Sequence, residues 1–430
     1  MPLHRSTLLV PALAVALVPG AAHAAARPAT PSFHDVPAVL ETPTLFDDAA
    51  GGHANADDPA IWVHPTHREA SLVIGTAKNA GLRVYDLHGR QVQAIAAPAA
   101  PGPGAEPGRF NNVDLVASFA LGGRRVDLAV VTDRGRDRLR VYRIDPDAAA
   151  RGAAPLVDVT AADAPRIFAA DEAEVDEQNT AYGLATYTAG DDAYAVVSRR
   201  HRTTLSRVEL VARNGRVSYE PADSVRLPST FRLPNGADWT PCAEPGEQPQ
   251  VEGMVVDPAA GVLYAAQEDV GLWRVPLDAG GFDGAPSLLQ RVREYGVPAT
   301  YDPDTEECTP HPDQDPGFGG PIAADVEGLT IYPTGRHSGY LLVSGQGDST
   351  FHVFDRAGIR PLGTFHVTDG PDADGAQHSD GAAVVSTPLP GYPHGLLVVQ
   401  DGVDTPDVGR TATDFTYVDW RCAGLLPRGG

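Results

Sequence analysis

Basic residues are scarce in this chain. Lys and Arg number 33 against 56 Asp and Glu, a formal net charge of −23 over 430 residues. No basic stripe can form that would offset phosphate repulsion, which excludes nucleic-acid binding as a function class. Cysteine is nearly missing as well, with three residues. No cysteine or histidine cluster has ligand spacing, so a metal site of the zinc or copper type is excluded. Long apolar runs are confined to the first residues, where Leu8 to Val18 is too short to span a bilayer. His4 and Arg5 precede that run and Ala22-His23-Ala24 follows it, the pattern of an export signal over residues 1–24. The mature chain is therefore expected to begin near Ala25, with a Pro/Ala-rich disordered leader over residues 25–40 and one domain over residues 41–430.

Turn formers, by contrast, are plentiful. Gly 45 and Pro 39 suit many short strands joined by turns. Six times an apolar strand, a short polar turn and a second apolar strand recur, the second strands reading GLRVYDL, RLRVYRI, LSRVELV, GLWRVPL, TFHVFDR and DFTYVDW. Their marker valines, Val84, Val141, Val208, Val275, Val353 and Val418, are spaced 57, 67, 67, 78 and 65 residues apart. An all-β repeat of that period predicts a single six-bladed β-propeller, four strands to a blade, around a central channel.

Equivalent positions in a propeller converge on one mouth of the channel. At the start of each blade's first strand come DDPAIW, NNVDLV, AYGLATY, VEGMVV, VEGLTI and SDGAAVV, which predicts a ring of Asp58, Asn112, Tyr182, Glu252, Glu327 and Asp380. The turns before the markers predict a second ring of Lys78, Arg134, Arg199 with Arg200, Glu268 with Asp269, Gln346 with Asp348, and Asp401. Cations come from the early blades and carboxylates from the later ones, so a basic wall faces an acidic one. Carboxylates that close, with Asp325 two residues from Glu327, would raise one another's pKa unless a cation sat between them. All-oxygen donors select Ca²⁺ or Mg²⁺, and irregular, backbone-rich sites favour Ca²⁺. The loop Asp372-Ala373-Asp374-Gly375 points the same way. Opposite, guanidinium forks suit phosphate. Cys242 and Cys308 lie in Pro/Gly/Asp-rich insertions, residues 232–250 and 295–324, flanking blade four; a disulfide between them is the economical pairing and leaves Cys422 over.

The segments DDPAIWVHP, GTAKNAGLRVYDL, NNVDL, TDRGR, AYGLATY, VEGMVVD, AQEDVGLW, DVEGLTIY, GYLLVSGQGDSTFHVFDR, SDG and GLLVVQDG, in order from Asp57 to Trp420, resemble the β-propeller phytase family. The resemblance implies a secreted, calcium-dependent phosphomonoesterase that removes phosphates from phytate, myo-inositol hexakisphosphate, without a phospho-enzyme. It implies phosphate-binding or catalytic roles for Lys78, Arg134, Tyr182 and Arg200. Around catalytic calcium it places Asp57, Glu252, Glu268, Asp325, Glu327, Gln346 and Asp380, and at structural calcium it places Asp58, Pro59 and Val113 through their carbonyls, and Asp374. Phytate as its calcium complex is the expected partner, with no nucleic acid, no membrane and no second subunit. Three positions depart from the family: Arg200-His201 replaces a Lys-Glu pair, His378 an acid and Asp401 an amide. Glu41 and Asp48 leave the N-terminal ligand open. Signatures of histidine and cysteine nucleophiles, RHGxRxP and HCxxGxxR, are absent, the nearest text being Gly335-Arg336-His337-Ser338. A propeller lactonase or esterase and a non-catalytic binding propeller stay open as alternatives. The first would not need the cations, and the second would tolerate loss of the carboxylates.

Overall fold

The structure, a computed structural model, describes residues 35–305, 307–405 and 409–420, so the expected export signal and Cys422 lie outside the described residues. Six antiparallel sheets carry the six repeats. In the first blade the strands run Pro59–Trp62, Leu72–Thr76, Leu82–Tyr85 and Gln91–Ile95, from the channel outward. The first strand of each blade touches the first strand of the next, and that of blade six, Ala382–Val385, touches Pro59–Trp62, which closes the ring.

Valine, leucine and alanine dominate the second and third strands because these strands are covered on both faces. Leu128, Ala129, Val130 and Val131 are successive and all fully buried, so neither face of that strand meets water. Blades stacked face to face require this pattern, in place of the alternation of a half-exposed sheet.

Among the described residues, blade six obtains three strands from the C-terminal part of the chain, Ala382–Val385, Leu396–Asp401 and Ala412–Asp419. Its exposed edge would be a site for stray pairing, and Leu40–Glu41 covers it, with Leu40 opposite Tyr417 and Glu41 opposite Thr416. Just before, Val36–Pro37 pairs in parallel with Val367–Thr368, and Val36 and Ala38 are buried. Within the leader expected over residues 25–40, Val36–Pro37 is therefore a strand, and Leu40 opens the next one, Leu40–Glu41.

The two insertions each fold as a short hairpin, Phe231–Arg232 with Asp238–Trp239 and Ala299–Asp302 with Glu307–Pro310. Cys242 and Cys308 are joined, with Cα atoms 6.0 Å apart. A shared aromatic core backs the disulfide: the Trp239 and Tyr295 rings lie 4.7 Å apart, and Trp239 Nε1 donates to the Val297 carbonyl at 3.0 Å.

Candidate active site

Strand register brings the two predicted rings together. In blades two to five the start of the first strand pairs with the end of the second, Phe110 with Asp133, Ala181 with Arg199, Val251 with Gln267 and Val326 with Gly345. Residues that open the first strand therefore meet the turn that follows the second. In those four blades a bulge interrupts pairing just after the opening residue, between Phe110 and Val113, Ala181 and Leu184, Val251 and Met254, and Val326 and Leu329. A bulge re-aims side chains, and here it falls at Asn111-Asn112, Tyr182-Gly183, Glu252-Gly253 and Glu327-Gly328.

The glycines in these pairs, and Gly381 after Asp380 in blade six, answer to close approach. A Cβ on Gly183 would stand 2.0 Å from the Glu252 carbonyl oxygen, one on Gly253 2.1 Å from that of Glu327, and one on Gly381 2.5 Å from Asp58 Cα. Only hydrogen fits, so the inner strands pack tightly enough for their preceding side chains to meet.

Glu252, Glu268 and Glu327 meet most closely: one carboxylate oxygen of each lies within 4.8 Å of the others, and all three residues are buried. Tyr182 Oη donates to Glu252 Oε2 and Asn111 Nδ2 to Glu252 Oε1, both at 2.5 Å. Glu268 Oε1 and Glu327 Oε2 are buried without a hydrogen-bond partner. Burial first, then the neighbouring carboxylates, pushes Glu268 and Glu327 well above the ordinary glutamate range and raises Glu252. Burial and the same glutamates hold the Tyr182 phenol protonated. Beside them Asp269 and Asp325 share a hydrogen bond, and burial together with Asp325 raises Asp269 to about 8.

Lys78, the only lysine in the chain, reaches Asp380 Oδ2 at 3.3 Å and Asp57 Oδ1 at 3.8 Å. Burial opposes its charge, but Asp57, Asp380 and Glu252 outweigh that and keep its pKa above the usual lysine value. Gln346 Nε2 donates to the other oxygen of Asp380. Arg134 lies over the Tyr182 ring, 5.4 Å from its centroid, and donates to Asn111 Oδ1 at 3.3 Å. Burial and the Arg134 charge lower Arg200 to about 10. The cations of blades one to three thus stand against the carboxylates of blades four to six, as their sequence order suggests.

Some expected members lie elsewhere. Arg199 turns away, its guanidinium over Phe168 and its Nε donating to the Asn179 carbonyl at 2.8 Å. Asp348 is taken by Arg293. Asp58, Pro59 and Val113 line a cavity of about 170 Å³ in the channel, where Asp58 Oδ2 accepts the Val113 N–H at 3.0 Å. Glu41 forms a second carboxylate group with Asp404 and Asp414, which lie far from it along the chain, and accepts the Asp374 backbone N–H. Asp414 is 1% exposed and neither of its oxygens has a partner. Of Glu41 and Asp48, Glu41 joins this group, while Asp48 pairs with Arg410.

Other functional residues were not apparent from the repeat. Asn111 rather than Asn112 contacts Glu252, and the bulge that exchanges them has no sequence signal beyond the Asn-Asn pair. Gln250, from the first insertion, donates to Glu268 Oε2 at 2.9 Å and accepts the His201 N–H at 2.8 Å. Where the family has a carboxylate after its turn cation, His201 instead contacts Glu247 of the insertion. Burial and Arg200 push His201 down to about 3.

Such a mouth can hold a hard divalent cation on one wall and a multiply charged anion on the other. The sequence profile of the phytase family matches residues 5–166 and 313–424. A 3-phytase of Bacillus subtilis (strain 168) is 31% identical over 383 residues, 88% of this chain and 82% of that protein. Among solved structures, the calcium-binding protein regucalcin of Agrobacterium tumefaciens strain C58 covers 90% of this chain and 96% of its own, with a TM-score of 0.45 and 12% identity. An α-L-arabinofuranosidase of Fusarium graminearum covers 90% and 99%, with a TM-score of 0.47 and 11% identity. The profile takes in Lys78 and Arg134 as well as Asp325, Glu327 and Asp380, the Bacillus enzyme spans 88% of the chain, and on that ground the chain belongs to the phytase family.

Proposed function

We propose that this enzyme is an exported phosphoric monoester hydrolase of the 3-phytase type that acts on phytate, with calcium held at the channel mouth. The observation that carries this is the meeting of Glu252, Glu268 and Glu327 within 4.8 Å, buried and with unpartnered oxygens, opposite Lys78 and Arg134. Three glutamates so placed cannot all ionise in an apolar surrounding unless a cation offsets them.

The donors fit calcium. Glu252, Glu268, Glu327, Asp57, Asp325, Gln346 and Asp380 offer only oxygen, the preference of a hard ion with a flexible shell. Glu41, Asp374, Asp404 and Asp414 would hold a structural ion that ties the N-terminal strand to blade six, and Asp58, Pro59 and Val113 another in the channel. Calcium at the mouth would draw phosphate oxygens together and make a water more acidic for in-line attack.

The chain's own groups do the rest. Lys78, Arg134 and Arg200 bind phosphate oxygens, the guanidinium forks two at a time. Tyr182, protonated at neutral pH, holds Glu252 in one orientation. Asn111 joins Glu252 to Arg134 and so couples the two walls.

The test is phosphate release from phytate with calcium and then with excess chelator. Release that needs calcium is the expected result. Release unaffected by chelator would remove calcium from the chemistry, and none under either condition would favour a binding propeller or a lactonase.

A further inference from the structure

Arg109 stands in the link from blade one to blade two, ahead of the strand Phe110–Leu121. Its backbone is pinned by the turns that carry two of the cations. Arg109 N donates to Asp133 Oδ1 at 3.0 Å, its carbonyl accepts the Arg134 N–H at 2.8 Å, and the next residue, Phe110, donates to the Lys78 carbonyl at 3.2 Å. The side chain goes into the same wall. One guanidinium nitrogen donates to Asn79 Oδ1 at 3.2 Å, while Nε is buried with no hydrogen-bond partner. Among the described residues Arg109 enters no ion pair. Burial and the Arg134 charge both act against its own. A half-buried guanidinium with donors to spare, beside like charges, is costly unless an anion completes it.

Lys78, Arg134 and Arg200 already suffice for the three non-bridging oxygens of one phosphate. A fourth cation between Lys78 and Arg134 is in excess for a monophosphate but not for a ring bearing several.

We infer that Arg109 is a further substrate-binding residue, which takes a phosphate group of the substrate other than the one under attack and so favours polyphosphorylated substrates over simple monoesters. This rests on the phytate reading. The competing role is structural: Arg109 could serve only to hold Asn79 and thereby the Lys78 turn.

Steady-state kinetics of Arg109→Gln and Arg109→Lys on phytate and on p-nitrophenyl phosphate, at saturating calcium, separate the two. Gln can still bond Asn79 but carries no charge. Arg109→Gln is expected to raise KM for phytate about tenfold, to raise it for the monoester by less than about threefold, and Arg109→Lys to recover part of the loss. Arg124→Gln, at an exposed site, serves as the control and should match the parent. Equal rises for both substrates, or a phytate KM within about twofold of the parent, would overturn the inference while leaving phytate hydrolysis intact. A parent protein inert toward phytate would overturn both. Should Arg109→Gln fail to fold, Arg109→Lys alone decides: an unchanged ratio of phytate to monoester KM, against a loss of the guanidinium fork, refutes the assignment.

Discussion

Glu252 is the residue on which both walls converge. It accepts from Tyr182 and Asn111, and Asn111 in turn accepts from Arg134. Replacing Glu252 by Gln keeps the shape and removes the charge, so kcat on phytate is expected to fall by about two orders of magnitude or more. Lys78→Ala should act differently. In the proposed role its ammonium would pair with phosphate in the ground state as well as in the transition state, so KM should rise along with the loss of kcat. Steady-state kinetics at saturating calcium distinguish the two patterns; near-normal kcat in Glu252→Gln would refute a charge role for that glutamate.

At the scale of the element, the bulge and the following glycine bring neighbouring inner strands to the distance the ring requires. Gly253→Ala places a methyl 2.1 Å from the Glu327 backbone oxygen, which no rotamer change can relieve. Overpacking of this kind costs about 1–3 kcal/mol, and spreading Glu252 from Glu327 should lower calcium-dependent turnover too. Denaturant melts and kinetics on the same variant test both effects. The disulfide joins the two insertions. The double substitution Cys242→Ser, Cys308→Ser is expected to lower unfolding free energy by about 2–4 kcal/mol while turnover below the melting range survives, since neither sulfur lies among the mouth residues. Turnover lost without loss of stability would instead assign the insertion, through Gln250, a direct part in holding Glu268.

The whole molecule stores like charge in two places, the mouth and the seam where Leu40–Glu41 closes blade six. Burial and Asp374 raise Glu41 from 4.5 to about 8, and burial and Asp325 raise Asp269 from 3.8 to about 8. Groups with a raised folded pKa bind protons that the unfolded chain has lost. Stability of the calcium-free protein is therefore greatest below pH about 4 as far as these groups are concerned, and drains away as pH rises through about 8. Calcium held as proposed would bind the folded form only and oppose the trend, because it competes best when the carboxylates are ionised. Melting temperature measured in chelator should fall between pH 5 and 8, whereas in excess calcium the gap between the two forms should widen over the same range. An equal Tm with and without chelator at pH 8 would refute structural calcium.

Much of this was legible in the sequence because a propeller repeats itself. The period of the marker valines set the six blades, and the Tyr-Gly, Glu-Gly and Asp-Gly pairs, each at the start of a first strand, set the ring. Lys78, Arg134, Glu268 and Gln346 followed from equivalent turns. Only tertiary structure decided what the repeat does not encode. The exchange of Asn111 for Asn112 depends on a bulge, a local slip in pairing that shifts which side chain faces the channel. Arg199 and Arg200 are adjacent, and it is packing that sets Arg199 over Phe168 and Arg200 beside Arg134. Glu41, Asp374, Asp404 and Asp414 meet because ring closure brings the two ends of the chain to one seam, and Arg109 joins the basic wall from a link that no strand pattern describes. Periodicity records the contacts that recur in every blade; contacts made once, at a seam, a bulge or an insertion, depend on distances between segments remote in sequence.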